Sequence, residues 1–312
     1  MGLVLSSLTD YVNQQSQELL TALHYEGKSA KYLTPMAGVK KTEALQLFAL
    51  TAYPQANAGG CDMVASGDAT FTQREMTVAK IGYRDEFCMD ALLPKWTQML
   101  LAPGAAGEDE ITAQLANKIN DELKAWIVQH IETATWQGDT ASGDAILAMT
   151  DGYIKIIAAA TAINGNTGNV TVATGITTSN IIAIVNAMAA ARIEVLKHAS
   201  DQVLFVGTDT FDKYVQALET ANLYHVDQTK WVDYELGVIG KNIKMVGVSG
   251  LSGTSKMYLG QTSNFYKGFD LVSDEDSIVW KILESDKMRY TVKMKLGFQV
   301  AYPSQIVEFI LV

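Results

Sequence analysis

Residues Gly107–Trp136 read GEDEITAQLANKINDELKAWIVQHIETATW, and this stretch decides how the rest of the chain is interpreted. Apolar residues recur in it at steps of three and four, which is the spacing of one face of an α-helix. Glu108, Asp109 and Glu110 stand in the first turn, where carboxylates are favourable beside the positive end of the helix dipole. The pattern predicts one helix of about 28 residues, roughly 42 Å long.

The predicted apolar stripe of this helix consists of Ile111, Leu115, Ile119, Leu123, Trp126, Ile127, His130, Ile131 and Ala134. So long a helix with one apolar face is expected to be a spine on which strands and smaller lobes pack. The alternative is a long surface helix of an α/β enzyme.

Composition and charge restrict the class of protein. The chain has 312 residues, of which 48% are apolar and 19% charged, a balance compatible with a subunit that buries large contacts with copies of itself. The net charge of −10 argues against a protein that grips phosphate backbones. The largest basic group alternates along a predicted strand and is interpreted as its polar face: Lys287, Arg289, Lys293 and Lys295.

The remaining elements are predicted from periodicity and turn residues. Helices are expected at Leu5–Tyr25, at Ile176–Ala199 and from Thr208 or Asp209 onward, with a short apolar helical piece at Phe87–Leu101. The apolar run YIKIIAAATAI, Tyr153–Ile163, in the stretch that begins at Gly143, is left open between strand and helix. Strands are expected at Val203–Val206, Ile243–Val248, Lys256–Gly260, Phe265–Leu271, Ser277–Leu283, Lys287–Phe298 and Val300–Leu311. Strands that are not in βαβ repetition indicate an α+β fold.

Two β-prone runs, Lys40–Tyr53 and Thr70–Met89, flank a tip of small residues at Gln55–Asp68. Both faces of these runs are only partly apolar, which favours an extended two-stranded excursion. An isolated ribbon of two strands is at best marginally stable in water. The ribbon is therefore expected to need a neighbour to lie on.

No catalytic, cofactor-binding or metal site is predicted. The histidines, His24, His130, His198 and His225, are far apart in sequence and lack metal-ligand spacing. His130 lies on the apolar stripe and is expected to be packed and hydrogen-bonded. Cys61 and Cys88 are too few for a disulfide framework. The acidic group Asp274, Glu275 and Asp276 lacks the spacing of a calcium loop and is interpreted as a solvated turn.

The order of these parts resembles the major capsid proteins of tailed bacteriophages, which have the Hong Kong 97-type fold. DQVLFVGTDTFDKYVQAL, from Asp201, is similar to the central strand and helix of the axial lobe of that fold. KMYLGQTSNFYKGFDL, from Lys256, looks like the segment that forms its later strands. KMRYTVKMKLGFQVAYPSQIVEF, from Lys287, is similar to the closing strands of the family. The resemblance covers nearly the whole chain, but it is architectural, because no single motif is diagnostic.

The resemblance implies a division of the chain into four parts. Residues 1–38 would be an N-terminal arm and residues 39–90 an extended loop lying over a neighbouring subunit. Residues 91–150 with 277–299 would form the peripheral domain, which contains the spine helix. Residues 151–276 with 300–312 would form the axial domain at the centres of hexamers and pentamers. Some relatives crosslink subunits through a Lys–Asn isopeptide bond, for which Asn57 and Lys80 are available in the loop.

The resemblance also implies a function. The chain is expected to be a structural protein, not an enzyme, which assembles with copies of itself into an icosahedral shell around double-stranded DNA. Neighbouring capsomers, a portal, and scaffolding or cement proteins are the expected partners, with packaged DNA contacted only non-specifically. The expected location is the virion capsid, assembled in the bacterial cytoplasm, without a membrane contact. An encapsulin-type nanocompartment shell protein and a soluble α+β enzyme without a recognisable motif are the alternatives.

Overall fold

The structure is a computed structural model that describes residues 26–52, 67–88, 108–221, 233–270, 277–282 and 287–312. The helices are α1 (Glu108–Gln137), α2 (Tyr153–Ala158), α3 (Ile181–Ala191) and α4 (Thr208–Thr220). The strands are β1 (Thr34–Ala37), β2 (Thr42–Ala52), β3 (Gly67–Thr77), β4 (Ala79–Cys88), β5 (Ile163–Asn164), β6 (Gln202–Gly207), β7 (Glu235–Gly237), β8 (Lys244–Val248), β9 (Met257–Gln261), β10 (Phe265–Phe269), β11 (Ser277–Ile282), β12 (Lys287–Val300) and β13 (Val307–Phe309).

The predicted spine is confirmed as α1, which begins and ends one residue later than the stretch read from sequence. Its 30 residues span roughly 45 Å. Four members of the predicted stripe, Leu123, Ile127, Ile131 and Ala134, are buried. Trp126 departs from the prediction: it is 48% exposed and lies at the edge of the stripe. The spine ends against α2, where the amide of Gly152 donates to the carbonyl of Gly138 at 2.8 Å.

A five-stranded sheet packs on the spine. Its long strand is β12, which pairs antiparallel with β4 along one edge and with β11 and then β10 along the other. The strand β1 adds to β10 in parallel. Val292, Met294 and Leu296 of β12 face the core that contains the spine residues Leu123, Ile127 and Ile131.

A six-stranded sheet has the order β5-β13-β9-β6-β8-β7. Its strand β6 is buried along its whole length, and alternate residues point to opposite faces. Val203 and Phe205 join the core of the spine, whereas Leu204 and Val206 join a second core covered by α3 and α4. This mixed arrangement of helices and sheets confirms the predicted α+β class.

The predicted ribbon is formed by β2 and β3, which pair antiparallel from Thr42↔Thr77 to Ala52↔Gly67. The second predicted run is not one strand, because it is divided at Val78. Residues after Val78 form β4 and pair with β12 in the body of the protein. The ribbon therefore ends at Thr77 on this side rather than near Met89.

Two predicted elements are shorter than expected, and each has a local cause. The helix predicted over Ile176–Ala199 is limited to α3, because Arg192 adopts an extended backbone and its Nε donates to the carbonyl of Ala189. The strand predicted over Val300–Leu311 is reduced to β13, because Pro303 opens a short 3₁₀ turn. The first six residues of the run left open between strand and helix form α2, and its last residue, Ile163, begins β5.

Some predictions lie outside the described residues: the helix over 5–25, most of the piece over 87–101, the ribbon tip, Cys61 and the acidic turn at 274–276. None of the helices within the described ranges combines the length and the apolar character needed to cross a membrane.

Candidate assembly surface

The ribbon of β2 and β3 leaves the body at a notch made by two glycines. Gly268 of β10 and Gly297 of β12 stand directly opposite each other in their ladder. A Cβ atom added at Gly297 would lie 2.4 Å from the carbonyl oxygen of Thr77, and one added at Gly268 would lie 2.5 Å from Cε of Met76. The contact at Gly297 is with backbone and leaves no room for a side chain, whereas the contact at Gly268 is with the flexible end of Met76. Gly297 therefore lets the end of β3 lie directly on the sheet.

A small apolar cluster, here called the ribbon root, holds the ribbon over this notch. It consists of Val39, Met76 and Val78, all buried, with Met36 and Tyr266 packed against them. The amide of Val78 donates to the carbonyl of Lys41 at 2.9 Å, which joins the two ends of the ribbon. The ribbon thus enters the body through a packed base.

Polar contacts add to the root. Arg74 Nη2 donates to Gln299 Oε1 at 3.2 Å, and Gln299 Nε2 donates to the carbonyl of Glu75 at 2.6 Å. Burial lowers the pKa of the Arg74 guanidinium. Tyr302 donates its hydroxyl to the carbonyl of Phe48 at 3.5 Å. The side of the ribbon that carries Arg74 is therefore turned towards its own sheet.

The two faces of the ribbon differ in exposure. Leu45 and Leu47, on the inner face with Arg74, are buried. The opposite or outer face carries Phe48, Leu50 and Phe71, whose side chains are 49%, 63% and 75% exposed. Phe48 and Phe71 are directly opposed across the two strands, with ring centroids 4.9 Å apart. Aromatic groups paired in this way and left in water are characteristic of a surface that is covered in an assembly.

Residues 26–32, here called the strap, run between the spine and the edge of the six-stranded sheet. Glu26 pairs with Lys124 of the spine at 2.5 Å. Lys28 pairs with Asp233 at 2.7 Å and with Glu235 of β7 at 3.2 Å. Burial alone would raise the pKa of Glu235, but bonds from Lys244, Tyr32 and Lys28 lower it to about 2.

The strap is also held by a buried carboxylate of the spine. Glu132 Oε1 accepts the amide of Ser29 at 3.1 Å and its hydroxyl at 2.5 Å, and Trp136 Nε1 donates to Ser29 Oγ at 2.7 Å. Burial raises the pKa of Glu132, which the bonds from Ser29 oppose. Burial lowers the pKa of Lys267 to about 8, which the nearby Glu132 opposes. The carboxylate therefore fixes the position at which the N-terminal part of the chain meets the body.

One part of the predicted polar face of β12 is wrong. Lys287 and Lys293 are exposed, and Arg289 pairs with Glu86 on the neighbouring strand at 2.5 Å. Lys295, however, is 4% exposed and pairs with the fully buried Asp270 at 2.9 Å. Alternation along the strand predicted that Lys295 shares a side with Lys293, but it did not predict that Lys295 is buried there and paired with Asp270.

His130 is packed as expected, against Trp126 and Tyr83, with ring centroids 3.9 Å and 6.4 Å away. Burial lowers its pKa. The expected hydrogen bond is missing at Nδ1, which has no partner among the described residues. Lys80 is exposed on β4, while Asn57 lies outside the described residues, so the structure does not test a crosslink between them.

Within the described ranges, no three His, Cys, Asp or Glu side chains are grouped so that they could hold a metal ion. An open cavity of about 660 Å³ lies beside α4, lined by Phe211, Asp212, Val215, Gln216, Glu219, Asp233 and Tyr234. Neither a histidine nor a cysteine is among these lining residues.

The sequence analysis missed the notch and the strap contacts. A glycine inside a strand is a signal for close approach of another backbone, and Gly268 and Gly297 carried that signal. The partner of such a glycine cannot be read from sequence, because Thr77 lies about 220 positions before Gly297. The contact between Ser29 and Glu132 cannot be read from sequence either, because these residues are 103 positions apart.

Comparison with solved structures identifies the fold. A chain of the satellite phage P4 procapsid, in a structure that includes the size determination (Sid) protein, is similar with a TM-score of 0.60 and 14% identity over 94% of this chain and 89% of that chain. A chain of Mycobacterium phage Adephagia has a TM-score of 0.55 and 12% identity, over 92% of this chain and 90% of that chain. A chain of the capsid of Myoviridae phage XM1 has a TM-score of 0.52 and 8% identity, over 88% of this chain and 87% of that chain.

Because the sequence identities are low, these comparisons show similarity of fold alone. No protein-family model matches the sequence, and comparison with curated proteins gives no match. The chain has the Hong Kong 97-type fold of tailed-phage major capsid proteins, and the predicted fold is confirmed.

Proposed function

We propose that this chain is the major capsid protein of a tailed bacteriophage. In this role it assembles with copies of itself, as hexamers and pentamers, into the icosahedral shell that encloses the double-stranded DNA genome. The observation that carries the proposal is a capsid fold over 94% of the chain together with a ribbon that projects an uncovered aromatic face. The function is mechanical and involves no catalytic step.

The proposed division of the chain follows the two sheets. The proposed peripheral domain, residues 91–150 and 277–299, holds the spine with β11 and most of β12, and the proposed axial domain, residues 151–276 and 300–312, holds the six-stranded sheet with α3 and α4. The pairing of β4 with β12 supports ending the extended loop, expected over 39–90, at Thr77. The pairing of β10 with β12 likewise supports assigning Phe265–Phe269 to the peripheral domain. The pairing of β1 with β10 supports ending the arm, expected over 1–38, before Thr34.

The proposed partners follow from this role. Neighbouring capsomers are contacted through the arm and the extended loop, and a portal, with scaffolding or cement proteins, completes the particle. The net charge of −10 supports only non-specific contact with packaged DNA, because an acidic wall repels a polyanion. The proposed location is the virion capsid, assembled in the host cytoplasm.

Electron microscopy of the concentrated full chain tests the proposal. Closed shells, or curved sheets of hexameric and pentameric capsomers, are expected. A homogeneous monomer or dimer at every concentration would contradict it. The composition of purified particles separates a capsid from a nanocompartment, since packaged nucleic acid supports the capsid and one co-purified enzyme supports the encapsulin-type alternative.

A further inference from the structure

One side of the five-stranded sheet carries a concentration of positive charge. Val292 and Met294 of β12 lie in the core with the spine, so the odd-numbered residues of this strand point to the opposite side of the sheet. The register of β11 and β4 adds to that side the residues that stand opposite them. The basic face, as it is called here, consists of five cations and the one carboxylate that the described residues place among them: Arg84, Lys281, Lys287, Arg289, Lys293 and Glu86.

The basic face is open to solvent and contrasts with the charge of the whole chain. Four of its five cations are exposed, and the fifth, Arg289, is partly exposed beside Glu86. Its residues sum to a charge of +4, so the rest of a chain with net charge −10 carries −14. A cationic area on so acidic a protein attracts an anionic partner and orients its approach.

The arrangement of these charges is unfavourable within a single subunit. Lys281 of β11 stands directly opposite Arg289 of β12 on the same side of the sheet. Like charges in directly opposed positions destabilise a sheet. Glu86, opposite Arg289 on β4, offsets this through its pair at 2.5 Å, but it is one carboxylate among five cations. Local arrangements that cost stability are typical of surfaces used for recognition.

The spacing of the cations indicates the shape of the partner. Side chains on one side of a strand repeat about every 6.8 Å, and Lys287, Arg289 and Lys293 lie at multiples of this step along β12. An extended peptide has the same repeat, so acidic residues at its alternate positions would lie beside these cations. From Lys287 to Lys293 the face is roughly 20 Å long, which an extended segment of about six or seven residues covers.

A nucleic acid fits the basic face less well than a peptide does. A duplex would continue past a surface of roughly 20 Å at both ends, where it would meet a chain whose remaining charge is −14. Charges interact over about 8 Å at physiological salt, so this acidic surrounding repels the parts of a duplex that run beyond the face. A short acidic segment stays within the face and avoids that repulsion.

The ribbon of a neighbouring copy is also a poor match for the basic face. The exposed side chains of its outer face include Phe48, Leu50 and Phe71, which are apolar. The tip between its strands, residues 53–66, contains one acidic residue, Asp62. The ribbon therefore does not supply carboxylates at alternate positions.

We infer that the basic face binds an extended acidic segment of an accessory protein, in which acidic residues alternate with neutral ones. Its carboxylates pair with Lys287, Arg289 and Lys293 along β12, and Arg84 and Lys281 flank it on the two neighbouring strands. The inference rests on the proposed shell function only for the kind of partner, a protein that attaches to the shell. The binding itself belongs to one subunit and is measurable without assembly.

The first test titrates a fluorescently labelled peptide of alternating Glu and Thr, about ten residues long, with the full chain and measures anisotropy. A second peptide has the same composition, with all its Glu residues in one block. Wild type should bind the alternating peptide at least about fivefold more tightly, because only that peptide matches the repeat of β12. Raising the salt from about 0.05 M to about 0.5 M should weaken this binding.

A Lys287→Gln, Lys293→Gln variant should bind the alternating peptide at least about tenfold more weakly, because it loses the cations at both ends of the row. The matched control is Lys40→Gln, Lys41→Gln, which removes the same charge at two exposed lysines outside the basic face. Its affinity should stay within about twofold of wild type.

Three results of these titrations would overturn the inference. Equal weakening in the two variants would mean that the peptide is attracted by overall charge alone. Equal affinity for the two peptides would remove the argument from spacing. Tighter binding of a DNA duplex of about 20 base pairs than of the alternating peptide would assign the face to nucleic acid.

Acetylation of lysines with a small reagent shows whether a second copy of the chain covers the basic face. Lys287 and Lys293 should react in particles assembled from this chain alone at rates within about twofold of those in unassembled subunits. Protection of both by about tenfold or more would mean that a neighbouring copy occupies the face, and would overturn a separate partner. Subunits that bind the alternating peptide but never form particles would contradict the proposed function and support the binding site.

Discussion

At the scale of single residues, burial determines which substitutions the fold tolerates. Ile127 is fully buried at the centre of the spine stripe, and Lys295 and Asp270 form an ion pair away from water. Removing one partner of such a pair typically costs about 3–5 kcal/mol, because it leaves the other charge buried without compensation. Total stability is usually only about 5–15 kcal/mol, so a single uncompensated charge in this core threatens the fold.

Ile127→Asp should therefore unfold the subunit. The new carboxylate would face an apolar core and would either remain charged at a cost of several kcal/mol or take up a proton, which also costs stability at neutral pH. Soluble yield and far-UV circular dichroism measure the effect. Gln129→Asp, two positions along on an exposed face, is the control and should fold normally. A folded, assembling Ile127→Asp subunit would show that the stripe is not buried.

Residue-level interpretation from sequence succeeded where periodicity alone sets burial, as at Leu123, Ile127 and Ile131. It failed where a distant segment changes the environment. Lys295 has the same alternation as Lys293, but only Lys295 is buried, where it pairs with Asp270. No local pattern distinguishes these two lysines.

At the scale of elements, the ribbon is defined less by its strands than by its root. The pairing of β2 with β3 followed from two β-prone runs around a tip of small residues. The division at Val78 did not, because it depends on the fit of Met76 and Val78 over the Gly268–Gly297 notch. The predicted termini of α3 and β13 were wrong for a similar reason, since Arg192 and Pro303 each interrupt an apolar pattern that continues past them.

Gly297→Ala should displace the ribbon without unfolding the body. The added methyl group would stand 2.4 Å from the carbonyl of Thr77, so the end of β3 must move, at a cost of about 1–3 kcal/mol. Faster hydrogen exchange is expected at residues 39–41 and 74–78, with residues 203–206 unchanged. The control is Gly82→Ala in β4, where the nearest atom to the added methyl would be 3.8 Å away. The same exchange pattern in both variants would exclude the notch as the cause.

At the scale of the whole molecule, the strap connects the spine to the far edge of the six-stranded sheet through charged groups. Glu26 and Ser29 hold it to the spine, whereas Lys28 holds it to Asp233 and Glu235. None of these pairings was read from sequence, because every partner is about 100 or more positions distant. The overall architecture was nevertheless recognised, because the order and spacing of elements survive when individual contacts are unknown.

Acid should weaken this connection between about pH 4.5 and 2. The pKa of Glu235 is about 2 in the folded state and about 4.3 when unfolded, so its contribution is present above the unfolded pKa and is lost as the pH falls through the folded one. Glu235→Gln should reduce the free energy of unfolding at pH 7 by about 1–2 kcal/mol, since partial exposure screens the pairs. The acid-dependent loss below pH 4.5 should also become smaller.

Denaturant unfolding of unassembled subunits at pH 7, 4.5 and 3 measures this. The control is Glu194→Gln, which removes an exposed pair with Lys197. In this variant the free energy of unfolding should depend on pH nearly as it does in wild type. If the two variants have the same dependence on pH, the acid sensitivity does not reside in the strap.

The short connections at the ribbon root have a geometric consequence. On one side four residues, Gly38–Lys41, separate β1 from β2, and on the other Val78 alone separates β3 from β4. Because these connections are short, the orientation of the sheet determines the direction in which the ribbon extends. With an arm of roughly 34 Å, a tilt of about one degree at the base moves the far end by roughly 0.6 Å. In a closed assembly, curvature would be tuned by such tilts, repeated in every subunit.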